Sequence, residues 1–258
     1  MALVTTIQTT PQILTLTLND PDRLNAMSEE MAKEFAATVD QIANGATHPR
    51  AIILTGAGKA FSAGGDLAML ERKQQQLGER NRVLMLQFYD SFLRLLKLEV
   101  PLVAAINGAA IGAGLCLASA CDIRIASTAA KLGFTFAKIG LHPGMGATYF
   151  LPRVVGHAVA SELLLTGRVI EADEALRIRL VSKVVAADQV MHDAQIIAQA
   201  ISDCGPEAVR QLLGSLRMGP VNMQQALERE AACQAVNYAS PEFREGLSAT
   251  MEKRRASF

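Results

Sequence analysis

Four short apolar runs recur along the chain: Ile13-Leu-Thr-Leu-Thr-Leu18, Ala51-Ile-Ile-Leu-Thr55, Leu102-Val-Ala-Ala-Ile106 and Ile123-Arg-Ile-Ala126. Each has strand length, and the stretches between them carry helix periodicity. Strands alternating with helices restrict the chain to an α/β layer fold. The first run alternates apolar residues with threonine, so it reads as a strand with one buried face. Asn19-Asp-Pro-Asp22 is a turn. Ser28 can cap a helix, with Glu29 and Glu30 at its positive end, and Met31, Phe35, Val39 and Ile42 form one apolar stripe. A long helical stretch is expected from Leu67 to Leu98, with Val83, Leu84, Phe88, Phe92 and Leu95 facing the core, and Pro101 ends it. After about Asp188 the pattern is helical without strands, broken at Gly205-Pro206 and at Gly219-Pro220.

Composition excludes several classes of function. With 258 residues, half of them hydrophobic, the chain can bury one sizeable core. Its net charge is zero, and the basic cluster Lys253-Arg254-Arg255 reads as a solvated helix end, so no nucleic-acid partner is expected. No window is long and apolar enough for a membrane span, and the N-terminus lacks the layout of a secretory signal. The four cysteines form no CxxC pair and, with four scattered histidines, make no metal pattern. A cytoplasmic, reduced protein without metal is the expectation.

Two glycine-rich turns stand out, Gly58-Lys-Ala-Phe-Ser-Ala-Gly-Gly-Asp-Leu67 and Ala110-Ile-Gly-Ala-Gly-Leu-Cys-Leu-Ala-Ser-Ala-Cys-Asp122. Both follow an apolar strand and open a helix. Between Ala110 and Ala120 the one reactive side chain is Cys116. Small residues let a ligand approach the main chain, and the first amides of a helix lack internal acceptors. Two readings stand at this level: structural turns, or amide donors converging on a carbonyl oxygen as an oxyanion hole. Neither turn is a Walker A loop or a GxGxxG fingerprint.

Further motifs continue in order. Pro21-Asp-Arg-Leu-Asn-Ala-Met27, Ala60-Phe-Ser-Ala-Gly-Gly-Asp-Leu67, Asn107-Gly108 with Gly112-Ala-Gly114 and Cys121-Asp122, Pro143-Gly-Met-Gly-Ala-Thr148, Leu164-Leu-Thr-Gly167, Leu180-Val181 and Phe243-Arg-Glu-Gly246 run from one end of the chain to the other. Together they resemble the enoyl-CoA hydratase/isomerase (crotonase) family. The resemblance implies a ClpP/crotonase-like α/β spiral of ββα units over residues 1–195. It also implies a helical C-terminal segment over 196–258 that trimerises and covers the active site. It implies an acyl-CoA thioester as ligand, with coenzyme A part of the substrate and no separate cofactor. It implies a homotrimer or dimer of trimers. The oxyanion hole maps to the backbone N–H groups of Ala63 and Ala113. Arg23 is a plausible contact for the CoA phosphates. Ala26, Ser62, Gly64, Gly65, Asp66, Leu67, Gly112, Cys116, Phe136, Pro143 and Gly144 are expected around the substrate, with Asp66 holding its turn.

The chain departs from the family at two decisive positions. A family hydratase positions water with two glutamates, and the matching positions here are Cys116 and Phe136. One positioned acid or base contributes typically about 10²–10⁴-fold. Losing both argues against ordinary hydration. It fits chemistry that needs mainly enolate stabilisation, such as decarboxylation of a malonyl-type thioester. It also fits an acyl-CoA binder without turnover. Replacement groups are His142 before Pro143, Glu71 one turn beyond Asp66, and Tyr149; with His142 or Glu71 as proton shuttle, a double-bond isomerase is open. Each has an ordinary reading as well: a structural histidine, a solvated glutamate, a surface tyrosine. Arg179 stands where the family often carries a small residue.

Overall fold

Threonine alternation over Ile13–Leu18 does produce a strand, and it is the second of a hairpin. A computed structural model describes residues 2–45, 48–219 and 222–258. β1 (Val4–Thr10) pairs antiparallel with β2 (Ile13–Leu18), and α1 (Glu29–Asn44) follows, capped by the Ser28 side chain on the Met31 N–H. Then one pattern repeats three times: a strand of a large sheet, a three-residue strand of a small sheet, and helix. The first unit is β3 (Ala51–Gly56), β4 (Ala60–Ser62), α2 (Leu67–Gln74) and α3 (Gly78–Leu93). The second is β5 (Leu102–Ile106), β6 (Ala109–Ile111) and α4 (Ala113–Ala120). The third is β7 (Ile123–Ser127), β8 (Lys131–Gly133), α5 (Ala147–Val155) and α6 (His157–Thr166). β9 (Val169–Glu171), α7 (Ala172–Arg177), β10 (Lys183–Val185) and α8 (Val190–Ser202) complete the core. The large sheet has the order β1-β2-β3-β5-β7-β10 and is parallel from β2 onward; the small one has the order β4-β6-β8-β9. This is the expected spiral of ββα units.

β3 and β5 are buried on both faces, which explains their unbroken apolar composition. Ile52, Leu54, Ala104 and Ile106 face a core shared with Phe35, Phe61 and Phe92. Ala51, Ile53, Val103 and Ala105 face the opposite way, onto Val190, Ala194 and Ala198 of α8. Those three residues recur every fourth position, so α8 lays one small-residue stripe on the sheet.

Two sequence expectations need correction here. The stretch Leu67–Leu98 is not one helix: it breaks at Gln75–Leu77, and Arg94–Lys97 is a 3₁₀ turn. A boundary at 195/196 cuts through α8, whose burial against the large sheet makes it core. The separate helical segment begins at α9 (Pro206–Met218) and continues through α10 (Met223–Tyr238) and α11 (Pro241–Met251). Arg217 ties α9 down. Its guanidinium pairs with Asp122 at 2.8 Å and donates to the carbonyls of Leu96, Leu98 and Val100. Asp122 of the Cys-Asp motif also accepts the Leu102 N–H at 2.8 Å, so it joins the start of β5 to α9. Arg179 adopts φ of 63°, the left-handed region where glycine is least strained, which accounts for a small residue being common there. Among the described residues, no helix is long and apolar enough to cross a membrane.

Candidate active site

The turn after β4 is legible from where each amide goes. The Ala63 N–H donates to the Leu24 carbonyl at 2.8 Å. The Gly64 N–H donates to the Ser62 hydroxyl at 3.1 Å. The Asp66 N–H donates to the Met27 carbonyl at 3.2 Å, while the Met27 N–H returns to Gly64 O at 2.7 Å. Gly65 sits in the middle of this parallel bridge, and its own N–H has no acceptor among the described residues. The expected donor Ala63 is therefore corrected: its amide is held by Leu24, and the free amide is that of Gly65.

The second turn also carries an amide without an acceptor among the described residues. Gly112, at φ of 51°, gives its N–H to Gly133 O at 2.8 Å and turns the chain into α4. Ala113 is the first residue of that helix, so its N–H has no intrahelical acceptor, and the helix dipole adds partial positive charge there. The two turns touch. Gly64 has φ of 93°, and a Cβ on it would lie 2.6 Å from the Ile111 carbonyl and 3.5 Å from the Ala113 nitrogen. One helical position on, a Cβ at Gly114 would lie 2.6 Å from the Cβ of Ser62. Glycine at 114 thus lets α4 settle on β4. Gly114→Ala is expected to push the two turns apart, costing about 1–3 kcal/mol of stability together with most activity. Thermal unfolding and turnover measured on the same variant check both effects.

Both turns open onto a cavity of about 560 Å³. Its walls are Leu67, Met69, Leu70, Met85, Phe88, Ile111, Phe136, Ile139, Leu141 and Met145, with Tyr89, Thr135 and His142 among its polar side chains. Among the described residues, no aspartate or glutamate lines it. Phe136 forms one wall; its Cζ is 3.8 Å from the place of a Cβ on Gly112. Cys116 lies behind the wall, wholly buried, and that burial pushes its thiol far above the usual range. It is a packed sulfur, not a proton carrier.

The remaining expected residues divide between cavity and scaffold. Leu67, Gly64, Gly65, Gly112, Phe136 and Gly144 line the cavity; Ala26, Ser62, Asp66, Cys116 and Pro143 do not. The buried Ser62 hydroxyl donates to Asn25 O at 2.8 Å and fixes the turn. Asp66 caps α2 through the Met69 N–H at 2.8 Å and pairs with Arg23 at 3.3 Å. Arg23 also pairs with Asp20 at 2.7 Å, so it braces the turn with its guanidinium already engaged. His142 reaches the rim, exposed, with Nδ1 2.8 Å from the Pro143 carbonyl. Glu71 is exposed and outside the lining, and Tyr149 lies elsewhere under the Arg153 guanidinium. Among the described residues of one chain, none on α9, α10 or α11 lines this cavity.

The model of a family described as enoyl-CoA hydratase/isomerase matches residues 8–258. A probable enoyl-CoA hydratase, EchA14, of Mycobacterium tuberculosis is 38% identical over 245 residues, spanning 92% of this chain and 93% of the relative. The 1,2-epoxyphenylacetyl-CoA isomerase of Escherichia coli is 36% identical over 252 residues, spanning 95% and 94%. The crystal structure of an enoyl-CoA hydratase from Bacillus anthracis superimposes with a TM-score of 0.92 at 34% identity, covering 99% of this chain and 98% of that one.

Proposed function

The chain belongs to the enoyl-CoA hydratase/isomerase family, and on that premise we propose that it acts on acyl-CoA thioesters through an enolate rather than by adding water. One observation carries this reading: among the described residues, two unpaired main-chain amides, Gly65 and Ala113, flank a cavity that no carboxylate lines. A thioester oxygen seated between them receives two N–H donors and the positive end of α4. Each such donor contributes about 3 kcal/mol when the oxygen gains charge in the transition state.

Cys116 and Phe136 supply no base to pull a proton from water. A malonyl-type thioester needs none. Its C–C bond to the carboxylate breaks, CO₂ departs, and the electron pair becomes the enolate held by the two amides. Apolar walls at Phe136, Phe88 and Met85 disfavour the carboxylate relative to neutral CO₂ and a delocalised enolate. A second reading, a double-bond shift, rests on His142, whose ring reaches the rim. The isomerase among the relatives is consistent with family members that do not hydrate.

The homotrimer or dimer of trimers belongs to the same proposal. Leu212, Leu216, Leu227 and Val236 on α9 and α10 are exposed and supply apolar surface for association.

The test offers the protein 2-enoyl-CoA and malonyl-type CoA thioesters. Loss of the conjugated thioester absorbance reports hydration, and CO₂ release reports decarboxylation. Binding of both with turnover of the malonyl class is expected. Rapid hydration of the enoyl thioester by the unaltered protein would overturn the reading.

A further inference from the structure

The enolate left by decarboxylation must gain a proton at its α-carbon, and neither family glutamate position can give one. Tyr89, on α3, lines the same cavity and is half-buried. α3 packs against α4, which carries Cys116. Tyr89 thus shares the cavity with Gly65 and Ala113, the two amides without acceptors. Its hydroxyl has no hydrogen-bond partner among the described residues. A niche holds it: a Cβ at Gly144 would lie 2.4 Å from the hydroxyl oxygen, so only glycine at 144 leaves the phenol its place. The ring is set by an edge contact with Phe88, centroids 6.4 Å apart.

The other polar groups of the lining are less suited. Lys73 is tied to Glu29 at 2.8 Å, His142 is at the rim with one nitrogen on a carbonyl, and Gln74, Asn81 and Thr135 do not titrate. Burial, and then the neighbouring sulfur, push the Tyr89 phenol above its usual range, so at neutral pH it is a protonated donor and not a base.

We propose that Tyr89 is the proton donor of this site, delivering its hydroxyl proton to the α-carbon of a malonyl-type thioester after loss of CO₂. The proposal rests on the enolate reading above. The electron pair from the broken C–C bond forms the new C–H bond. The phenolate left behind takes a proton from water, and the hydroxide combines with CO₂ as bicarbonate. Because one side chain delivers the proton, it arrives on one face.

The experiment follows methylmalonyl-CoA decarboxylation in D₂O with the full-length protein, reading kcat, KM and the configuration of the α-deuterated product. The unaltered protein is expected to give a single configuration. Tyr89→Phe is expected to lose about 100-fold in kcat with KM changed less than about threefold, and to place deuterium on both faces. Gly144→Ala, which displaces the hydroxyl but keeps the phenol, is expected to scramble the product likewise. A Tyr89→Phe protein that keeps its rate and its single configuration overturns the assignment of Tyr89 and leaves the enolate reading standing. No CO₂ release from malonyl-CoA or methylmalonyl-CoA by the unaltered protein overturns both.

Discussion

Ala113→Pro is expected to lower kcat by about 10²–10³-fold, or some 3–4 kcal/mol of transition-state stabilisation, and to leave the fold intact. Position 113 opens α4. Proline is favoured at the first helical position, because its missing N–H would have no helical acceptor and its φ already suits the helix. The substitution therefore removes one of the two free amides with little cost to the helix. It also sets a ring carbon on the nitrogen where the substrate oxygen is expected. The measurement is turnover of the best thioester in the panel, beside a thermal melt. A melt within a few degrees of the unaltered protein and a collapse in kcat is the expected pair. Unchanged turnover would remove Ala113 from the chemistry.

Arg217→Met is expected to cost about 3 kcal/mol of stability, at the low end of the range for breaking a buried ion pair. Arg217 and Asp122 are each about four-fifths buried, with side-chain exposures of 22% and 20%. Methionine keeps most of the arginine's apolar packing but leaves the Asp122 carboxylate unpaired except for the Leu102 N–H. The carbonyls of Leu96, Leu98 and Val100 lose their donor as well. Adding Asp122→Asn removes the unpaired charge and should return part of the loss, so the double-mutant cycle separates charge from packing. Urea unfolding gives the numbers, and limited proteolysis should show earlier cleavage between α8 and α9. A loss under about 1 kcal/mol would mean that α9 is held by other contacts.

The parts of this fold that announce themselves in the sequence have enough residues to show a period. β2, β3, β5 and β7 were legible from apolar runs, and α1 from Ser28 and its stripe. The small sheet was not, because β4, β6, β8 and β9 have three residues each, too few for alternation to register. Spacing alone also left the break at Gln75–Leu77 hidden, since apolar residues resume at helical intervals on both sides of it. At the site, the two glycine-rich turns and the residues Cys116 and Phe136 could be read directly. The choice between Ala63 and Gly65 could not. It depends on a ladder that takes the amides of Ala63 and Asp66 and passes over Gly65. Tyr89 was illegible for another reason. Its neighbours Phe88 and Phe92 define the core stripe of α3, and only the folded structure brings the adjacent phenol into the cavity, against Gly144.

The central claim is that the Gly65 and Ala113 amides grip one thioester oxygen. A crystal structure with a saturated acyl-CoA bound tests it most directly. The account predicts the thioester oxygen about 2.7–3.1 Å from both nitrogens, with the acyl chain running toward Phe136 and Tyr89. An acyl-CoA whose carbonyl oxygen lies outside hydrogen-bonding reach of either nitrogen would contradict it.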